Sequence, residues 1–149
     1  GKADVLGLFM IRQLEQMNEL EGSLRDHYVT FFASIFRSIR FGTASAHGRA
    51  NLIRFNFFRE EGAFSRDPES GTYRIHPEPW EEAVDSLSSL ILTVQGDGDY
   101  EQASELVDRY GQMGDTLAGD LERLGEADIP VDIVFEQGPD VLGLTNGGD

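Results

Sequence analysis

The chain has 149 residues, 40% of them hydrophobic and 10% aromatic, enough apolar material to bury one compact core and to exclude a disordered chain. Acidic residues outnumber basic ones 27 to 12, for a formal charge of −15, and that field repels phosphate backbones and anionic lipid surfaces, so neither nucleic acid nor membrane is an expected partner. The absence of cysteine excludes disulfides and thiolate metal sites or nucleophiles.

No apolar run reaches the roughly 18 residues of a membrane span and no signal-peptide pattern opens the chain, so the cytoplasm is the default setting. Lys2 is the single lysine, every other basic residue being arginine. With the acidic excess this matches the bias of salt-adapted proteins, and a basic partner domain that balances the charge is an equal alternative.

Elements follow in chain order. Val5, Leu6, Leu8, Phe9, Leu14 and Met17 keep helical spacing and predict a helix over 2–18, whose natural start is expected upstream. Ser23 and Asp26 form a capping-box-like start to a second helix, in which Leu24, Tyr28, Phe31, Phe32, Ile35, Phe36 and Ile39 recur at three- and four-residue spacings before Gly42. A third helix is expected over 44–61, capped by Thr43 or Ser45 and ended by Gly62; Leu52, Ile53, Phe55, Phe57 and Phe58 nearly encircle it, which predicts burial.

The turn-rich Asp67-Pro68-Glu69-Ser70-Gly71, followed by alternating Tyr73 and Ile75, predicts a short β-hairpin. Pro77 and Pro79 introduce a fourth helix, with Trp80, Ala83, Val84, Leu87, Leu90, Ile91 and Val94 on one face and Gly96 as its stop. Asp99 caps a fifth helix through Tyr110, and Asp115 or Thr116 starts a sixth bearing Leu117, Leu121 and Leu124. After Pro130 the alternation Val131, Ile133, Phe135 suggests an extended segment.

The fold class is therefore mainly α: an array of about six helices, one short β-hairpin and an extended C-terminal segment. Residues 1–137 read as one helical domain and 138–149 as a flexible acidic, Gly-rich tail with too few apolar residues to offset its ordering entropy.

Candidate chemistry is sparse. His27, His47 and His76 are each alone in sequence, no His-Glu-x-x-His pair occurs, and His27 and His76 read as surface or capping histidines, so no zinc site is expected from this chain unaided. Asp97-Gly98-Asp99 resembles the opening of a calcium loop, but Gln102 stands where that loop needs glycine, and a helix-linking turn is the better reading. There is no nucleophile elbow, P-loop or dinucleotide fingerprint. The unusual constellation is His47, Asn51 and Arg54, which share one stripe of an otherwise apolar helix. Polar groups so placed need partners, since leaving one buried and unpaired costs roughly 1–3 kcal/mol. The stripe either caps the preceding helix and hydrogen-bonds within the core, or forms the polar wall of a substrate cleft with His47 donating to a carbonyl oxygen.

Lys2-Ala3-Asp4-Val5-Leu6-Gly7-Leu8, Tyr28-Val29-Thr30-Phe31, Phe36-Arg37-Ser38-Ile39-Arg40-Phe41-Gly42 and Ala46-His47-Gly48-Arg49-Ala50-Asn51 are similar, in that order and spacing, to the C-terminal half of the catalytic region of the dipeptidyl peptidase III family of zinc metallopeptidases, bacterial type. The resemblance continues through Glu61-Gly62-Ala63-Phe64, Leu92-Thr93-Val94-Gln95-Gly96-Asp97-Gly98-Asp99-Tyr100 and Ile129-Pro130-Val131-Asp132. It implies a peptidase of short peptides whose zinc is held by two histidines of a His-Glu-x-x-Gly-His helix and a glutamate of a Glu-Glu-x-Lys-Ala-Asp-like motif.

Gly1-Lys2-Ala3-Asp4 matches the last four positions of that second motif, so the resemblance puts every metal ligand outside this chain. It implies that Asp4 orients a zinc-bound histidine and that His47 hydrogen-bonds the substrate carbonyl and steadies the oxyanion; Asn51 and Arg54, on the same stripe as His47, are expected to bind substrate. Animal and yeast members carry arginine at the position of Asn51, which removes charge assistance there, and Arg54 lies one turn later. Two functions are expected as alternatives: the helical portion of such a peptidase, inactive alone and prone to self-association through uncovered apolar surface, or a non-catalytic helical binding module on the same scaffold.

Overall fold

The computed structural model describes residues 1–132, 135–138 and 141. Ile133 of the expected extended segment and most of the 138–149 tail lie outside the described residues, and Val131 and Phe135 belong to no strand. Six helices and one hairpin follow in order: α1 (Lys2–Gln16), α2 (Leu24–Arg40), α3 (Ala46–Glu60), β1 (Phe64–Arg66), β2 (Tyr73–Ile75), α4 (Pro77–Asp97), α5 (Tyr100–Tyr110) and α6 (Asp115–Glu126).

Local chemistry sets the boundaries. Ser23 caps α2 by accepting from the Asp26 N–H, Ser45 caps α3 by accepting from Gly48 N–H, and Asp99 caps α5 by accepting from Gln102 N–H, each satisfying an orphan donor of the first turn. The choice left open between Thr43 and Ser45 thus falls to Ser45. Gly114 occupies the cap position of α6 with Asp115 as its first residue. Helix α4 runs through Gly96 and ends at Gly98, whose φ of 67° is the left-handed conformation that closes a helix, so the expected stop is corrected by two residues. A glycine inside a helix weakens it but terminates it only where φ turns positive. Helix α1 ends at Gln16, and Met17, expected inward, is 66% exposed.

Helix α3 is the hub, packing against α2, α4, α5 and β1, while α1 lies along α4 and α2. Its two sides therefore both bury: Leu52, Phe55, Phe57 and Phe58 are all inside, as its encircling aromatics predict. Trp80 of α4, fully buried, is surrounded by the rings of Tyr28, Phe31, Phe32 and Phe58, with centroids 4.7–6.4 Å away. Each such side chain contributes about 1.5–3 kcal/mol on leaving water. Phe32 meets Phe36, Phe55, Phe64 and Tyr73 as well, so one aromatic cluster joins α2, α3, the hairpin and α4.

Polar contacts then fix the layers. Arg12 of α1 reaches Asp85 of α4 at 2.6 Å. Buried Asn56 donates to the carbonyls of Tyr110 and Gln112, at 2.8 and 2.9 Å, and ties the end of α5 to α3. The hairpin pairs Phe64 with Ile75 and Arg66 with Tyr73 across a turn in which the Asp67 carboxylate accepts from Glu69 and Ser70 N–H. Those bonds hold the Asp67 carboxyl below its ordinary pKa. Arg66 donates twice to Asp120 of α6, at 2.7 Å each, and Tyr73 and Arg123 add bonds of 2.6 and 3.1 Å, so the hairpin is latched to α6. No helix of the described residues is long and apolar enough to cross a membrane.

Candidate functional site

The tight turn between α2 and α3 places the start of α3 beside the end of α2. A Cβ on Gly48 would sit 2.1 Å from the Gly42 carbonyl oxygen, so only glycine lets the first turn of α3 come this close. One stripe of α2 and its C-cap, namely Phe31, Ser34, Ser38 and the capping Phe41, then faces one stripe of α3, namely His47, Asn51 and Arg54. With Asp4 from α1 and Ser45 from the turn they line a pocket of about 510 Å³.

All four residues singled out from the sequence, Asp4, His47, Asn51 and Arg54, meet in this pocket. Their environments differ. His47, on the first turn of α3, is exposed, which corrects the expectation that the whole stripe is buried. Its imidazole makes no hydrogen bond among the described residues and is free to donate to a ligand. Asn51 is buried and spends its Nδ2 on the His47 carbonyl, at 2.9 Å, leaving Oδ1 as an acceptor.

Arg54, only 4% exposed, donates from Nε to the Ala50 carbonyl at 3.2 Å and from Nη1 to Asp4 Oδ2 at 2.8 Å, with its guanidinium 5.5 Å from the centre of the Phe31 ring. Burial pulls its pKa below the ordinary arginine value, and the Asp4 charge pushes it back. Asp4 is itself half exposed. The α2 wall escaped the sequence reading, although Phe31, Ser34, Ser38 and Phe41 are spaced by three, four and three residues; the two serines were a legible polar break beside the apolar face.

The other histidines lie apart. His76 stands at the N-cap of α4 without a side-chain capping bond, its Nε2 3.0 Å from Ser65 Oγ, and His27 buries an Nε2 that has no partner among the described residues. Asp97-Gly98-Asp99 forms the α4–α5 turn. Among the described residues no group of three or more His, Cys, Asp or Glu is placed to hold a metal ion, so these side chains do not fit as a zinc-ligand set. A larger groove of about 730 Å³ lies between α2, the hairpin and α6, but its arginines are committed: Arg37 to Asp132, Arg40 to the Ile129 carbonyl, and Arg123 to Asp120 and the Ser70 carbonyl.

The fold that carries this pocket has counterparts among known proteins. Dipeptidyl-peptidase III from Caldithrix abyssi superposes on 89% of this chain with a TM-score of 0.82 and 36% identity. Dipeptidyl-peptidase III from Corallococcus sp. strain EGB does so over 89% with a TM-score of 0.82 and 35% identity. The chain is thus similar, in fold and in sequence, to a segment of these two bacterial dipeptidyl-peptidase III proteins. It spans 25% and 24% of those two proteins. A curated Arabidopsis thaliana protein named Nudix hydrolase 3 is 41% identical over 134 residues, 89% of this chain but 17% of that protein, so the shared stretch is a minor part of what bears that name. No protein-family model matches the chain.

Proposed function

We propose that this chain is the C-terminal helical portion of the catalytic region of a dipeptidyl peptidase III-like zinc peptidase, that it forms one wall of the cleft for a short peptide, and that the zinc ligands lie on residues outside it. The observation that carries the reading is the convergence of Asp4, His47, Asn51 and Arg54 on one pocket in a chain 36% identical to a bacterial dipeptidyl-peptidase III.

The chemistry of the pocket suits a peptide group. His47 offers a ring N–H donor and Asn51 an Oδ1 acceptor one helical turn apart, about 5–6 Å between Cβ atoms, which matches the carbonyl and N–H that a peptide backbone presents. In this reading His47 donates to the carbonyl oxygen of the bond to be cut and stabilises the negative charge that grows there, while Asn51 holds the neighbouring N–H. Asp4 keeps Oδ1 free at the rim, where it can accept from the imidazole of a metal-bound histidine and fix that ring's orientation. Bound zinc would supply the Lewis acid.

Zinc content and peptide hydrolysis, measured on this chain and on the same chain extended upstream, test the proposal. Stoichiometric zinc and hydrolysis in the extended protein alone support it, and in that protein His47→Ala should lower kcat by about 100-fold or more. Zinc and activity in neither would favour the alternative, a helical binding module. Zinc bound by the short chain would mean that the site has been misplaced. Exposed Met17, Phe41 and Tyr100 further suggest that the isolated chain self-associates, which light scattering at rising concentration reads directly.

A further inference from the structure

Arg54 carries a full charge into a nearly closed environment, and the groups around it explain how. An unpaired guanidinium at 4% exposure against the Phe31 ring would be strongly unfavourable, and the carboxylate that neutralises it is Asp4, across the gap between α3 and α1. The interaction is unequal. Asp4 is half exposed and would be adequately solvated alone, yet a surface carboxylate without such a contact swings freely among rotamers.

Here three contacts fix the arginine before it touches Asp4. The Ala50 carbonyl takes Nε, the guanidinium carbon lies over the Phe31 ring, 5.5 Å from its centre, and α3 itself fixes the stem. The guanidinium fork is planar and rigid, so anchoring Nε sets where Nη1 points. Nη1 holds Asp4 Oδ2 at 2.8 Å, which determines where the other oxygen, Oδ1, is aimed.

We infer that Arg54 is a positioning residue: a buried strut that carries the geometry of α3 across to Asp4 and fixes the free Asp4 oxygen relative to His47 on the pocket rim. It does not hold substrate. The catalytic consequence rests on the peptidase reading given above, whereas the placement of Asp4 by Arg54 is a property of this chain.

The test uses Arg54→Met, which keeps the apolar stem, Arg54→Lys, which keeps the charge without the fork, Asp4→Asn, and the double change. In the upstream-extended protein, kcat and KM are measured on a short chromogenic peptide. In this chain, the Asp4 side-chain carboxyl is followed by carbon-detected NMR. Arg54→Met should lower kcat by about 10- to 100-fold, the range a displaced catalytic group costs, with KM changed by less than about twofold. Arg54→Lys should recover part of the loss, and Asp4→Asn with Arg54→Met should be no worse than Asp4→Asn alone.

A rise in KM with kcat intact would assign Arg54 to substrate and overturn the inference. So would kcat losses that multiply in the double variant, or a lowered melting temperature with kcat unchanged. Should the extended wild-type protein cleave no peptide, the peptidase reading fails by itself. The NMR arm then decides alone: an Asp4 carboxyl signal that shifts in Arg54→Met supports the strut, and one identical to wild type refutes it.

Discussion

Replacing Asp120 with asparagine should destabilise the chain by about 2 kcal/mol at neutral pH, and the loss should vanish in acid. The carboxylate is 8% exposed and accepts from Arg66 Nε and Nη2, Tyr73 Oη and Arg123 Nη1, so its charged form is strongly preferred in the folded state. Arg66 first, and Tyr73 with it, bring the Asp120 pKa from 3.8 down to about 2. A fall of that size is worth about 2 kcal/mol. Because the folded-state value is depressed, the contribution is fully present above the unfolded value near 4 and is lost as pH falls through about 2. Urea melts of wild type and Asp120→Asn at neutral pH, near pH 4 and near pH 2 read this directly. The gap in unfolding free energy should shrink steadily down that series. A gap of the same size at neutral pH and near pH 2 would refute the argument, since it would mean that asparagine disturbs packing rather than charge.

The Asp4–Arg54 pair should be unequal to truncation: Asp4→Asn strands a buried cation and should cost about 3 kcal/mol, while Arg54→Met leaves a solvated carboxylate and should cost less, as paired thermal melts will show. Gly48→Ala forces a methyl against the Gly42 carbonyl, so α2 and α3 must part; about 1–3 kcal/mol of stability should go, and the pocket's amide resonances should shift with it. Asn56→Ala removes both donors that tie α5 to α3 and should cost about 2 kcal/mol, with hydrogen exchange accelerated first in Tyr100–Tyr110.

The helices were legible because their apolar residues repeat with the helical period and their caps are chemically explicit: Ser23, Asp99 and one of the two candidates Thr43 and Ser45, namely Ser45, each accept a backbone N–H of the first turn. The hairpin followed from Asp67-Pro68-Glu69-Ser70-Gly71 in the same way. Gly96 misled because it is a good local stop signal and helical dihedrals suit it equally well; what ended α4 was the positive φ at Gly98, which composition does not reveal. In the candidate site, His47, Asn51 and Arg54 could be grouped by spacing along one helix. That Asp4 would meet Arg54, and that an α2 stripe would face them, depends on how α1 and α2 pack on α3, and no local pattern encodes that. Nor could spacing tell that Arg54 is buried and committed while His47, seven residues earlier, is exposed and unengaged.

Trp80 is the sole tryptophan of the chain, and it lies at the junction of α2, α3 and α4 with its indole N–H unbonded among the described residues and its ring closed off from water. The molecule therefore carries a built-in optical reporter. Its emission should be blue-shifted and shielded from aqueous quenchers, and its chiral surroundings of Tyr28, Phe31, Phe32 and Phe58 should give a structured near-ultraviolet dichroism band. Since Phe31 also lines the candidate pocket, a ligand that moves α2 will alter that one signal, so binding and unfolding can be followed in the native chain with no label attached.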